Sequence, residues 1–105
     1  MRSIFRIFSL TGALLIAAGA AFGASPGSRK IILDTDPGAD DAMAILLALN
    51  APELDIKALT VVAGNVVVGQ GLENALKLVS LAGRCDIPVG RGAGQPLAQK
   101  LITAE

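Results

Sequence analysis

The feature that most constrains this chain is the order in which its apolar segments occur. Residues 30–35 and 56–63 are short, almost continuously apolar runs, as expected of strands that are buried on both faces. A longer apolar segment with helical spacing separates them at residues 40–50, and a second helical segment runs on from Leu72. A third short strand is predicted at residues 87–89. This strand–helix–strand–helix–strand order favours right-handed crossovers and a parallel sheet.

We therefore predict an α/β fold: an open, mostly parallel sheet with helices on both sides, Rossmann-like in its connections. Met43 and Leu47 make the helix at residues 40–50 apolar on most of its circumference, so this helix is expected to be deeply buried. Gly83 is predicted to end the second helix, and a last helix is predicted near residues 95–105. Because three short strands and two helices make a small core, we expect the N-terminal portion of a larger α/β domain. A complete small domain is the alternative.

The first residues of the chain have the layout of a secretory signal peptide. Arg2 and Arg6 form a basic start, an uncharged apolar stretch follows, and small residues precede a cleavage site after Gly23. This predicts a signal peptide at residues 1–23 and a linker at residues 24–29. The protein is expected to be exported, periplasmic or secreted, with no stable membrane association after cleavage. An uncleaved membrane anchor is the alternative.

Composition excludes several kinds of site from this chain. With no His and a single Cys, it cannot supply Ser-His or Cys-His catalysis, an internal disulfide, or a zinc site of His or paired Cys. That cysteine, Cys85, is expected to be a small buried apolar residue. The 9 Lys and Arg residues balance the 9 Asp and Glu residues. The composition therefore gives no sign of the basic face that a nucleic-acid partner would need.

The strongest chemical signal directly follows the first predicted strand. Four carboxylates occur within eight residues: Asp34, Asp36, Asp40 and Asp41. Like charges packed so closely raise one another's pKa values unless a cation neutralises them. Carboxylates without His or paired Cys suit a hard cation, either Ca²⁺ or Mg²⁺. The alternative is local: one of Asp40 and Asp41 can serve as a helix N-cap, and Asp34 can satisfy loop backbone groups.

The positions of these residues predict a site at one edge of the sheet. Asp36 lies at the carboxyl end of the first strand, a Pro-Gly turn follows, and Asp41 lies at the electropositive start of the next helix. Asn65 follows the second strand and Arg91 follows the third. Ligands of open parallel sheets bind at such strand ends, so we expect these side chains to converge. Taken alone, Asn65 after a glycine is also typical of a simple turn.

Two stretches of the chain resemble the inosine-uridine-preferring nucleoside hydrolase family. Residues 31–42 (Ile-Ile-Leu-Asp-Thr-Asp-Pro-Gly-Ala-Asp-Asp-Ala) are similar to its N-terminal signature, and residues 60–65 (Thr-Val-Val-Ala-Gly-Asn) to its second block. The resemblance implies that residues 30–105 are the N-terminal part of a domain with the nucleoside hydrolase fold. It further implies that a calcium-bound water hydrolyses the N-glycosidic bond of a small-molecule ribonucleoside, giving ribose and free base in nucleoside salvage, with Ca²⁺ as cofactor.

The resemblance also implies a role for each matching residue. Asp36 matches a calcium ligand that is also the general base, and Asp41 matches a second calcium ligand. Asp40 matches a carboxylate that hydrogen-bonds a ribose hydroxyl, and Asn65 matches a residue near the water and the ribose. Asp34 is assigned a supporting role. The family's remaining ligands are expected beyond this chain, which by itself is expected to be inactive; a homo-oligomer is an expected partner because the family is often oligomeric.

Three other functions fit part of the same pattern. Asp-x-Asp after a strand also resembles the haloacid dehalogenase-like phosphatases, which use Mg²⁺, although these usually carry Thr or Val where this chain has Gly38. A calcium-dependent riboside-binding module would need the same ligands but no proton acceptor. An inactive fragment of a nucleoside hydrolase is the third alternative.

Overall fold

A computed structural model describes residues 27–104 of the chain. The predicted signal peptide at residues 1–23 and the first part of the predicted linker lie outside these described residues. Within the described part, no helix is long and apolar enough to span a bilayer. The elements follow one another as β1 (Arg29–Thr35), α1 (Ala39–Asn50), β2 (Leu54–Val61), α2 (Val68–Leu81) and β3 (Val89–Arg91).

The three strands form one parallel sheet in the order β1-β2-β3, which confirms the predicted α/β fold. Thr35 at the end of β1 pairs with Val61 at the end of β2, and Val61 pairs with Arg91 at the end of β3. The carboxyl ends of the strands are therefore level at one edge of the sheet, which is the edge where the sequence predicts a site.

The third strand lies two residues later than predicted. It begins at Val89 rather than at Ile87. Ile87 is buried in the core instead. Pro88 has no N–H to donate to a neighbouring strand, although its carbonyl oxygen accepts a hydrogen bond from the backbone N–H of Leu59 at 3.0 Å. Regular pairing of both backbone groups therefore starts only after the proline.

Both helices lie on the same face of the sheet. Two right-handed crossovers that step in the same direction place their helices on one side, where α1 and α2 contact each other. Burial along β1 agrees, because Thr35 is buried toward the helices while Ile32 is 65% exposed on the other face. The prediction of helices on both sides is therefore wrong for residues 27–104. Apolar strands indicate two faces suited to burial, but the strand order decides which face these helices cover.

The core lies between the sheet and the two helices. Its buried side chains come from α1, β2, α2 and the loop before β3, and they include Ile45, Leu49, Ile56, Leu59, Val61, Ala75, Leu78, Val79 and Ile87. Contrary to the prediction, α1 is buried along one stripe only, since Met43 and Leu47 are each 75% exposed. A helix that packs on a single layer buries only the side that faces that layer.

The C-terminus of α2 confirms the predicted role of Gly83. This glycine has a positive φ of 67°, a conformation that residues with a Cβ rarely adopt. The N–H of Arg84 donates to the carbonyl of Val79 at 2.8 Å, and the N–H of Gly83 donates to the carbonyl of Ser80 at 3.0 Å. These are the two hydrogen bonds of a Schellman motif, which ends the helix.

Cys85 is exposed, so the prediction of a buried residue is wrong. It lies in the turn that follows α2, between Arg84 and Asp86. The side chains of these two neighbours form an ion pair at 3.0 Å. Because the charged neighbours of Cys85 pair at the surface, the turn stays there and the cysteine has no apolar surroundings.

Residues 95–104 form no helix, which contradicts the prediction for this segment. The chain instead runs back toward the loop after β2. The N–H of Ala63 donates to the carbonyl of Ala93 at 2.9 Å, and the N–H of Ala104 donates to the carbonyl of Asn65 at 2.9 Å. Backbone groups that pair with a neighbouring loop are not available for helical hydrogen bonds, and Pro96 removes one further donor.

Candidate functional site

The candidate site lies where β1 and β2 end. Asp36 directly follows β1, Asn65 lies in the loop after β2, and Asp41 is in the first turn of α1. Pro37 and Gly38 form the turn between β1 and α1, and the Pro37 side chain is fully buried. The parallel pairing of the strands thus delivers three polar side chains to one place.

Asn65 joins the two carboxylates. Its backbone N–H donates to Oδ2 of Asp36 at 2.7 Å, and its side-chain Nδ2 donates to Oδ2 of Asp41 at 2.8 Å. The predicted convergence of Asp36, Asp41 and Asn65 at the strand ends is confirmed. A single residue fixes the orientation of both carboxylates.

Thr35 holds the second oxygen of Asp41. Its Oγ1 donates to Oδ1 of Asp41 at 3.0 Å, and Thr35 itself is 7% exposed. Asp41 therefore accepts a hydrogen bond on each carboxylate oxygen. Thr35 was not among the predicted site residues. Strand alternation is the signal that could have found it, because the residue between Asp34 and Asp36 must face the helices when its neighbours do not.

Gly64 makes room for the Asp36 side chain. A Cβ at position 64 would lie 2.9 Å from the Cβ of Asp36 and closer still to its carboxylate. Atoms in folded proteins do not pack this closely, so any side chain at position 64 would displace Asp36. The sequence indicated Gly64 only as the end of a strand, because its contact with Asp36 exists only in the folded sheet.

Helix α2 supports the turn between β1 and α1. The Nδ2 of Asn74 donates to the carbonyl oxygen of Pro37 at 2.9 Å, and the Nε2 of Gln70 donates to Oδ1 of Asn74 at 2.9 Å. Gly71 faces the same turn, since a Cβ there would lie 3.3 Å from Cδ of Pro37. Asn74 was not among the predicted site residues, because a polar residue on an amphipathic helix is usually solvent-facing.

The remaining acidic residues of the segment have different surroundings. Asp34 accepts a hydrogen bond from Oγ1 of Thr60 at 2.5 Å, across the exposed face of β1 and β2. Asp40 is exposed in the first turn of α1. Neither Asp40 nor Asp41 is the N-cap of this helix, because Gly38 occupies that position and no side chain caps it. The local alternative of an aspartate N-cap is therefore wrong.

The charge of the Asp36–Asp41 pair is not neutralised by a basic side chain of the described residues. The three ion pairs of this part join Asp55 to Lys57, Glu73 to Lys77 and Arg84 to Asp86. Arg91, which was expected beside the other strand-end side chains, is instead the exposed last residue of β3 and belongs to none of these ion pairs. The groups that do bond the two carboxylates are a backbone N–H, an amide and a hydroxyl, all of them neutral.

These two carboxylates fit part of a coordination sphere for a hard cation. Their oxygen donors match the chemistry of Ca²⁺ or Mg²⁺, and the partial positive charge at the start of α1 offsets little of their full negative charge. Within residues 27–104, no three His, Cys, Asp or Glu side chains lie close enough together to hold an ion. The four carboxylates of the segment therefore do not form one cluster, and Asp36 and Asp41 are the pair that converges.

Comparison with known proteins identifies the family. A family model described as inosine-uridine preferring nucleoside hydrolase matches residues 31–105. The chain belongs to this family. Membership confirms the resemblance of the acidic segment and decides against the haloacid dehalogenase-like phosphatase alternative.

The nucleoside hydrolase relatives are similar over most of this chain. It is 56% identical over 78 residues to the pyrimidine-specific ribonucleoside hydrolase RihA of Photobacterium profundum, a match that covers 74% of this chain and 25% of the relative. RihA of Salmonella arizonae is 55% identical over 75 residues, which covers 71% of this chain and 24% of the relative. The chain thus spans about a quarter of the length of the curated relatives it matches.

Solved structures of nucleoside hydrolases match the fold as well. The plant nucleoside hydrolase PpNRh1 matches with a TM-score of 0.67 and 53% identity, over 72% of this chain and 24% of that one. An inosine-guanosine nucleoside hydrolase matches with a TM-score of 0.64 and 53% identity, over 69% of this chain and 22% of that one. The predicted nucleoside hydrolase fold is confirmed for this portion.

We expect the substitution Gly64→Ala to lower the free energy of unfolding of this protein by about 1–3 kcal/mol, the usual cost of an added methyl group in a packed site. The new Cβ would push Asp36 away from the N–H of Asn65. Urea denaturation of the full-length protein measures this change. Gly69→Ala is the matched control, because a Cβ there would meet nothing within 4 Å. Unchanged stability of Gly64→Ala would contradict the prediction.

Proposed function

We propose that the protein hydrolyses the N-glycosidic bond of ribonucleosides to ribose and free base, with Ca²⁺ held in part by Asp36 and Asp41. The observation that carries this proposal is the pair of hydrogen bonds by which Asn65 joins the two carboxylates at the ends of parallel strands. Because only neutral groups of the described residues bond these carboxylates, their charge favours a cation. Family membership supports ribonucleoside hydrolysis in general terms.

The names of the relatives support a ribose-side role for this portion. One relative is named for pyrimidine ribonucleosides and one solved structure for inosine and guanosine, and their identities to this chain are 56% and 53%. Those substrates differ in the base but share the ribose. A segment that is equally similar in both is expected to serve the shared part of the reaction, which is binding of the sugar and attack of water.

Ca²⁺ held in part by Asp36 and Asp41 would supply positive charge that helps to orient the sugar and lowers the pKa of the attacking water. Asp36 then accepts the proton of the attacking water as the general base. The N–H of Asn65 fixes one oxygen of Asp36 at 2.7 Å and leaves the other oxygen for this task. The negative charge of Asp36 and Asp41 also stabilises the positive charge that develops on the sugar as the base departs.

Asp40 and Asn65 are assigned to the ribose. The carboxylate of Asp40 is exposed in the first turn of α1, where it can accept a hydrogen bond from a ribose hydroxyl. The Nδ2 of Asn65 uses one of its two N–H groups on Asp41, so the second N–H and the carbonyl oxygen of the same amide are left for the ribose or the water. Asp34 keeps a supporting role, because its hydrogen bond with Thr60 ties β1 to β2 just before the site.

We expect Asp36→Asn in the whole gene product to lower kcat by about a hundredfold or more, the usual contribution of a general base. Inosine and uridine cleavage at saturating Ca²⁺ is the assay, and riboside binding by calorimetry is measured on the same samples. Asp86→Asn is the matched control, because it makes the same exchange at an exposed ion pair with Arg84.

The same experiment separates the enzyme from a calcium-dependent riboside-binding module. An enzyme loses turnover far more than riboside binding when Asp36 loses its proton-accepting carboxylate. For a binding module, the parent protein shows no turnover, or the variant loses turnover and riboside binding to the same extent. Either of those results would contradict the proposed hydrolysis.

The 105-residue chain alone is expected to show no nucleoside cleavage. Ca²⁺ takes about six to eight oxygen ligands, while the described residues bring two carboxylates together. RihA of Photobacterium profundum, expressed and assayed alongside with the same nucleosides, is the positive control. Turnover by the isolated chain at a rate comparable with RihA would contradict this expectation.

We also propose that residues 1–23 direct export to the periplasm or the medium, where the mature protein is free of the membrane and forms a homo-oligomer. The basic start with Arg2 and Arg6 and the uncharged apolar stretch support export, and the homo-oligomer rests on membership of the family. N-terminal sequencing of the exported protein should begin at Ala24. A mature protein that still starts at Met1 and stays with the membrane fraction would favour the uncleaved anchor.

A further inference from the structure

We infer that Asn74 is a positioning residue of the cation site: its amide fixes the turn between β1 and α1 and thereby sets where Asp36 and Asp41 meet. The inference rests on the proposed function, because it concerns the same site. The Asn74 amide bonds Pro37 and Gln70 and forms no hydrogen bond with either carboxylate among the described residues. It acts through the carbonyl oxygen of Pro37, to which its Nδ2 donates at 2.9 Å.

The Pro37 carbonyl depends on this side chain for its hydrogen bond. The first helical hydrogen bond of α1 runs from the N–H of Ala42 to the carbonyl of Gly38, at 3.1 Å. The Pro37 carbonyl precedes that bond and lies outside the helical pattern, while the proline itself is fully buried. A backbone carbonyl of a buried residue requires a partner, and Asn74 provides it from a different element of the fold.

Two features of α2 hold the Asn74 amide in place. One helical turn earlier, the Nε2 of Gln70 donates to Oδ1 of Asn74 at 2.9 Å, so both ends of the amide are engaged and its orientation is set. Gly71 lets the helix approach the turn, because a Cβ there would lie 3.0 Å from Val61 and 3.3 Å from Pro37. Asn74 is therefore part of a close helix–turn contact.

Few covalent bonds and contacts separate Pro37 from the two carboxylates, so fixing Pro37 also restricts their positions. Asp36 is its covalent neighbour on one side. Gly38, its neighbour on the other side, abuts Asn65, since a Cβ at position 38 would lie 3.2 Å from the Cβ of Asn65. Asn65 in turn bonds both Asp36 and Asp41. The proline ring restricts its own backbone further, so few rotations separate the Asn74 amide from the carboxylates.

Calcium titration of the whole gene product tests this inference without an activity readout. Asn74→Leu keeps a similar volume but removes the donor, and we expect it to weaken Ca²⁺ binding by about tenfold or more, as for other residues that orient metal ligands. Isothermal titration calorimetry with CaCl₂ measures the affinity, and thermal unfolding is followed on the same samples. Glu73→Gln is the matched control, because this neighbour forms an exposed ion pair with Lys77.

Gln70→Ala provides a second, milder variant. Gln70 is exposed, so this protein is expected to fold even if Asn74→Leu does not. Loss of the bond that orients Asn74 should weaken Ca²⁺ binding by about threefold. In the Asn74→Leu background the same substitution should have no further effect, because the two residues act through one contact.

The outcomes separate this inference from the proposed function. In the first case the parent binds Ca²⁺ and cleaves nucleosides, and Asn74→Leu lowers the melting temperature but not the Ca²⁺ affinity. Asn74 then has a structural role only, so the inference is overturned while the proposed function stands. Unchanged Ca²⁺ affinity in Gln70→Ala overturns it when Asn74→Leu cannot be purified. A parent that takes up no Ca²⁺ and cleaves no nucleoside overturns the proposed function, and the inference with it.

Discussion

The two hydrogen bonds of Asn65 are the interaction on which the site depends. They bring together carboxylates that would otherwise repel each other, one at the end of β1 and one on α1. The bonds form only because β1 and β2 are parallel and pair regularly from Ile32 and Ala58 up to their carboxyl ends. Beyond the last paired residues, the N–H of Val62 still donates to the carbonyl of Thr35 at 3.0 Å. The register of the sheet therefore determines the geometry of the site.

The site combines full negative charge with neutral hydrogen-bond donors. Three donors from two residues orient Asp36 and Asp41: the backbone and side-chain amides of Asn65 and the hydroxyl of Thr35. Such donors stabilise a carboxylate without cancelling its charge, whereas a lysine or arginine would compete with a bound metal ion. The basic residues of the described ion pairs bond other carboxylates. This division leaves the Asp36–Asp41 pair suited to an external cation.

Sequence reasoning predicted the features that arise from local pattern. The strands, the helices, the Gly83 helix end and the convergence of Asp36, Asp41 and Asn65 follow from hydrophobic spacing and from the rule that parallel strands present their carboxyl ends together. The resemblance to nucleoside hydrolases also depended on a local motif, the acidic segment after β1.

The missed features depend on contacts between residues that are far apart in the chain. Asn74 lies 37 residues from its partner Pro37, and Gly64 contacts the Asp36 side chain only in the folded sheet. Periodicity shows which side of an element is apolar, but it does not show which neighbour covers that side. For this reason the exposure of Met43 and the single helical layer were not predicted. The end of the chain was mispredicted for a related reason, because Ala104 pairs with the Asn65 loop rather than within a helix.

Under the proposed function, the same long-range contacts would let this portion serve substrates with different bases. Small residues at the contact points allow β1, α1, β2 and α2 to meet at the acidic turn: Gly64 against Asp36, and Gly71 against Pro37. Each contact restricts the position of a carboxylate, and none of them requires a base to be present. A ribose and a water molecule are common to every ribonucleoside, so a rigid set of oxygen ligands for them needs no adjustment when the base changes. Selectivity for the base can then be set by other residues without disturbing the Asn65 bridge.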